Sequence, residues 1–199
     1  LWNSQDDRLS NVVFMGMGEP LYNMENVDHT INMLIHDEKD GLSRRKITLS
    51  TSGISPILSK IAPSLKCRLA ISLHAPNDKI RSKIMPINNM YNIKSVMNAC
   101  DIYYKNHPQM KITFEYLLLD GINDSGECDH ELAHLIKNLN SKVNLIQFNS
   151  WNGCDFKPSS RKAVLNFAKI IESYGIEAPI RERRGSDIMA ACGQLQSAK

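Results

Sequence analysis

Five short stretches combine small, permissive residues with hydrogen-bonding side chains at spacings that suit ligand binding. Gly16-Met17-Gly18-Glu19-Pro20 sets glycine amides beside a carboxylate, a pairing that suits an ammonium group. Ser50-Thr51-Ser52-Gly53 and Ser72-Leu73-His74-Ala75-Pro76-Asn77 offer hydroxyls and an imidazole, which suit a ribose or a carboxylate. Glu115 precedes Asp120-Gly121-Ile122-Asn123-Asp124, and Asn149 supplies both a donor and an acceptor. A nucleoside joined to an amino acid would satisfy all of these groups at once. The G-x-x-x-x-G-K-[ST] phosphate loop is missing from the sequence, so nucleoside triphosphate hydrolysis is not expected. Near the carboxyl end, Cys192 lies among small residues, with Arg181, Arg183 and Arg184 close in sequence. Cationic neighbours favour the nucleophilic thiolate, and arginines also suit phosphates.

Each feature has an ordinary reading beside the chemical one. The glycines at 16 and 18 fit a tight turn, Glu19 a solvated loop and the Ser-Thr-Ser-Gly run a helix cap. His74 fits a hydrogen-bonded core position, Asn149 a turn, Cys192 a packed tail and the arginines a solvated face. The chemical reading gains weight because the polar groups recur at the ends of successive strands.

Those strands are read from apolar, β-rich runs at 11–15, 46–49, 68–73, 111–119, 143–148 and 176–181. Several are nearly continuous in apolar character, which predicts burial on both faces. Helical periodicity marks 24–35, 55–62, 92–104, 125–139 and 159–174, with Ser125 and Ser159 as expected caps. Strand–helix alternation predicts a parallel α/β sheet with right-handed crossovers, whose ligand site lies at the carboxyl ends of the strands. Six strands in 199 residues fall short of a complete eight-stranded barrel. A partial barrel or a doubly wound sheet remains.

Hydrophobic residues make up 42% of the chain and charged residues 23%, enough apolar content for one core. The formal charge of +3 permits a nucleic-acid partner without requiring one. No apolar run approaches membrane-spanning length and the amino end is not a secretory signal, so a cytoplasmic location is expected. The five cysteines (67, 100, 128, 154 and 192) are widely spaced, as free thiols in a reducing compartment would be.

Seven stretches together resemble the radical S-adenosylmethionine (SAM) RNA methyltransferases. They are Met15–Leu21 (MGMGEPL), Thr48–Gly53 (TLSTSG), Ala70–Asp78 (AISLHAPND), Met85–Asn88 (MPIN), Phe114–Asp124 (FEYLLLDGIND), Asn144–Asn149 (NLIQFN) and Arg183–Leu195 (RRGSDIMAACGQL). The match is most specific to the dual-specificity family that methylates C2 of an adenine in 23S rRNA and in tRNA. The resemblance implies an incomplete (β/α)6 barrel missing its first strand (about 11–150), followed by a helix, a strand and a Cys-bearing tail (about 151–199). It implies SAM held by Gly18, Glu19, Ser50, Ser72, Leu73, His74 and Asn149. Cys192 would be the thiol that is methylated and passes its methyl carbon to adenine, and the arginines would contact RNA. A reductant such as flavodoxin or ferredoxin is implied as a partner.

The family also holds a [4Fe–4S] cluster through C-x-x-x-C-x-x-C, a run that this sequence does not contain, so no metal ligand is assigned in it. The expectation is a carboxyl-terminal part of such an enzyme, inactive without a missing amino-terminal portion that carries the cluster and the resolving cysteine. The rival expectations are a non-catalytic RNA-binding remnant and an unrelated α/β enzyme acting on a phosphorylated metabolite.

Overall fold

The computed structural model describes residues 9–36, 41–150 and 154–181. Six strands form one sheet: β1 (Val12–Phe14), β2 (Ile47–Thr51), β3 (Arg68–Ser72), β4 (Ile112–Leu118), β5 (Ser141–Gln147) and β6 (Ile180–Arg181). Their spatial order is β1-β2-β3-β4-β5-β6, and every neighbouring pair is parallel. A doubly wound sheet would reverse its order at a switch point. Unbroken sequential order instead winds the chain in one direction, and the sheet curls into a half-barrel.

Six α-helices fill the crossovers: α1 (Met24–His36), α2 (Ser55–Ile61), α3 (Asp78–Ile84), α4 (Ile93–Asn106), α5 (Gly126–Ile136) and α6 (Arg161–Ser173). Five match the sequence periodicity. The short helix α3 escapes it because only seven residues, mostly polar, form it. Ser125 caps α5 by accepting from the Cys128 amide. For α6 the expected cap at Ser159 is off by one: Ser160 accepts from the Ala163 amide, while Ser159 is buried.

One face of the sheet carries the core. Ile47, Leu49, Leu69, Ile71, Phe114, Tyr116, Leu118, Val143 and Leu145 alternate along the strands and are fully buried. They meet Ile31, Leu58, Val96, Ala99, Tyr103, Leu132, Phe167 and Ile171 of the helices. The other face is different. Strand alternation and register put Thr48, Ser50, Ala70, Ser72, Thr113, Glu115, Lys142 and Asn144 on the inner, concave side. Both faces of the central strands are buried, since Ser50, Ala70, Thr113 and Glu115 are covered as well. The two faces differ in chemistry: helices pack on the apolar outer face, and mostly polar side chains line the hollow.

Candidate functional site

Parallel pairing brings the carboxyl ends of β1 to β5 to one rim, and successive ends are joined by side chains. After β1, the Glu19 carboxylate reaches the end of β2. Its Oε2 accepts from the Ser52 amide at 2.8 Å and from the Ser52 hydroxyl at 2.7 Å, while Oε1 accepts from the Leu21 amide at 3.1 Å. The Ser-Thr-Ser-Gly run is thus not a helix cap; α2 starts at Ser55, and Ile54 before it makes no side-chain capping bond. Gly53 (φ +95°) turns the chain where a Cβ would stand 2.8 Å from a Val96 methyl, so the turn packs directly on α4. Gly18 (φ +93°) is exposed, and a Cβ there would meet nothing within 4 Å.

Arg81 of α3 joins β2 to β3. Fully buried, it donates all five of its N–H groups: Nη2 to the carbonyls of Ser52 (2.7 Å) and Ser72 (3.0 Å), Nε to that of Leu73 (3.0 Å), and Nη1 to Asn88 Oδ1 (3.0 Å) and the Tyr91 carbonyl (3.4 Å). Asn88 in turn donates to Asp78 Oδ1 at 3.0 Å. The Met85–Asn88 turn and Asp78 therefore support the rim from beneath.

β3 meets β4 through His74. Its Nδ1 accepts from the Leu117 amide at 3.0 Å, which leaves the ring proton on Nε2. Burial, helped by the nearby Arg81 charge, lowers the His74 pKa to about 4, so the ring is a neutral donor near pH 7. His74 is also the one non-glycine with positive φ (+57°) among the described residues, a conformation costing on the order of 1 kcal/mol. The buried Asn123 holds it there, donating to the carbonyls of His74 (2.8 Å) and Leu117 (2.7 Å) and accepting from the Leu119 amide.

β4 meets β5 through Glu115 and Asn144, which are paired in register with Ser72 in a single row. Asn144 Nδ2 donates to Glu115 Oε2 at 2.8 Å. Glu115 is buried, and desolvation raises its pKa against the opposing pull of Asn144, Arg181 and Lys142. Asn149 lies half-buried just past β5. Arg181 ends β6 and is exposed, whereas Arg183, Arg184 and Cys192 lie outside the described residues.

The structure thus places Gly18, Glu19, Ser50, Ser72, His74 and Asn149 along the rim and inner face of β1 to β5, whereas the Leu73 side chain is fully buried in the core and both of its main-chain groups are bonded, to Glu115 and to Arg81. Arg81, Asn123 and Glu115 had no role assigned from sequence. Only the polar insertions in the quoted motifs signalled Asn123 and Glu115. Arg81 carried no signal, because an arginine on a short polar helix reads as solvated. A depression of about 710 Å³ lies elsewhere, lined by Pro76, Asn77, Glu127, His130 and His134, and none of the rim residues just named borders it.

A sulfonium nucleoside fits this donor set. Oε1 of Glu19 accepts only one bond and keeps a lone pair for an ammonium. The Ser50 and Ser72 hydroxyls have no protein partner among the described residues. The described cysteines offer no cradle for an iron–sulfur cluster, since Cys67, Cys100 and Cys128 are buried at separate places in the apolar core. No group of three or more candidate metal ligands occurs among the described residues.

The radical SAM superfamily model matches residues 3–134. The chain belongs to the radical SAM superfamily. Among relatives, the dual-specificity RNA methyltransferase RlmN of Paracoccus denitrificans (strain Pd 1222) is 48% identical over 190 residues, covering 96% of this chain and 49% of that protein. The RlmN of Ruegeria sp. (strain TM1040) is 49% identical over 192 residues, covering 96% and 48%. This radical SAM chain therefore spans about half the length of the curated relatives it matches. A crystal structure of a radical SAM methyltransferase from Sphaerobacter thermophilus superposes with a TM-score of 0.86 at 41% identity, covering 94% of this chain and 55% of that one. A domain of pyruvate-formate lyase-activating enzyme from Bacteroides vulgatus ATCC 8482 shares the fold alone (TM-score 0.63, 16% identity, 87% of this chain and all of that one). No helix among the described residues is long and apolar enough to cross a membrane.

Proposed function

We propose that the rim of β1 to β5 binds SAM and that the chain supplies the SAM-binding half of an enzyme that methylates C2 of adenine in 23S rRNA and tRNA. The observation that carries this reading is the row of joined strand ends, Glu19–Ser52–Arg81–Ser72 and then His74–Leu117, in a chain about half identical to named RNA methyltransferases along its length. SAM, when bound, supplies an electrophilic methyl group and a cleavable sulfonium. The chain's own residues bind and orient it. Glu19 and the open Gly18 turn receive the ammonium end. Ser50, Ser72 and the neutral His74 ring offer hydroxyls and an N–H to the ribose and carboxylate, and Asn149 completes the cradle. Fixed donors of this kind hold the ligand in one pose without reorganising.

Cys192 is the methyl-accepting thiol in this proposal, with Arg181, Arg183 and Arg184 beside RNA phosphates. The 199 residues hold no C-x-x-x-C-x-x-C run, so a reductive step needs cluster ligands from outside them, and the chain alone does not turn over.

Titration calorimetry with S-adenosylhomocysteine tests the pocket. Saturable binding that weakens in Glu19→Ala and in Ser72→Ala is expected. Absence of heat with retained RNA binding would replace the proposal with a non-catalytic RNA-binding module. In a complex supplemented with a cluster-bearing half from a relative, Cys192→Ala abolishes methyl transfer; unchanged transfer would remove its assigned role.

A further inference from the structure

Arg81 lies below the rim and reaches no solvent. An arginine side chain has five N–H donors in a planar fork, and here every one has an acceptor. Three of the five acceptors are main-chain carbonyls at the ends of β2 and β3. These belong to Ser52, whose amide and hydroxyl hold Glu19, and to Ser72 and Leu73, which lead directly into His74. Among the described residues no carboxylate touches the guanidinium. Asp78 acts on it through the Asn88 amide, which bonds Arg81 on one side and Asp78 on the other. The charge is therefore held by peptide dipoles and a relayed carboxylate, and its field extends to the neighbouring imidazole.

We propose that Arg81 is the positioning residue of the pocket: its fork fixes the spacing between the Glu19–Ser52 and Ser72–His74 sides of the rim. The proposal rests on the carbonyl contacts. Burial is the main reason that the His74 ring stays neutral, and the Arg81 charge adds to it. For ligand binding, the proposal rests on the SAM reading above.

Two substitutions separate geometry from charge. Lys at 81 keeps a cation but replaces a planar five-donor fork with three donors on one atom, so it cannot reach the carbonyls of both strands. Met keeps the length and removes both properties. In Arg81→Lys, S-adenosylhomocysteine binding is expected to weaken by at least about tenfold, because a ligand spanning both sides loses its fit, while the His74 titration followed by imidazole NMR moves little. In Arg81→Met, binding weakens similarly and the His74 pKa rises, since one of its two lowering causes is removed. The comparison variant is Tyr103→Phe. It removes a buried bond to the Cys67 carbonyl at the opposite end of β3 and is expected to lower stability with affinity unchanged.

Binding within twofold of wild type in Arg81→Lys would overturn the proposal, and an unmoved His74 titration in Arg81→Met the added effect of the Arg81 charge. Should the Arg81 variants not fold, Asn88→Ala removes one of the five acceptors, and amide shifts at Ser52 and Ser72 are the readout; their absence refutes the positioning role. If wild type itself binds no S-adenosylhomocysteine, the SAM reading fails, and the amide shifts still decide the role of Arg81.

Discussion

The link between the first two strand ends rests on one carboxylate, so it gives a sharp quantitative test. Glu19 accepts three hydrogen bonds, two of them from Ser52. Ser52→Ala deletes the hydroxyl contact at 2.7 Å and leaves the two amide contacts in place. A hydrogen bond to a charged group contributes about 1.5–3 kcal/mol. Both side chains are only half-buried, so solvent screening brings the expected loss down to about 1–2 kcal/mol. For a chain of this size that is a fall of roughly 2–8 °C in melting temperature. Glu19→Ala removes all three contacts and should cost more. A double-mutant cycle isolates the shared part, and the expected coupling is about 1 kcal/mol, read from thermal melts followed by circular dichroism. Additive effects, with a coupling below about 0.3 kcal/mol, would mean that the carboxylate does not hold the β2 end, and the picture of joined strand ends would fail at its first link.

Three further outcomes follow from burial and backbone geometry. Gly53→Ala combines a positive φ with a Cβ 2.8 Å from Val96 and should cost about 1–3 kcal/mol, part of it regained in Gly53→Ala/Val96→Ala; an equal melting temperature for Gly53→Ala and wild type would contradict the packing. Cys67 and Cys100, their thiols raised to about 12 by burial, should resist alkylation at pH 8 while the half-buried Cys154 reacts, as mapped by peptide mass spectrometry; labelling of Cys67 at the unfolded rate would refute this. His74 falls from an ordinary 6.5 to about 4. Its unfolded form takes up a proton first, so the stability that it contributes is present above about pH 6.5 and is lost as pH falls toward 4. Urea midpoints should decline less steeply over that range in His74→Gln than in wild type, and identical slopes would exclude the lowered value.

The alternation of strands and helices was legible because β2 to β5 and the longer helices repeat apolar residues at clean periods. The choice between a partial barrel and a doubly wound sheet was not, since strand order is set by pairing between distant segments. The rim residues were legible as types: Glu19, Ser72 and His74 stand where a parallel sheet puts its ligand site. Their supports were not. Arg81 looks like a surface residue until the fold closes five carbonyl and amide oxygens around it. Asn123 looks like turn chemistry until its amide is seen to hold His74 in a left-handed conformation. Both depend on contacts that no local pattern encodes.

The concave face of the sheet is built from serine, threonine, glutamate, lysine and asparagine where a closed barrel would stack branched aliphatics. Such a surface discriminates asymmetrically. A guest with one methyl group too few forfeits little there, but a guest with one hydroxyl or amino group too few strands a dehydrated polar atom on the protein. Selectivity in this hollow should therefore be harshest toward deoxy and deaminated analogues and lenient toward small changes in bulk.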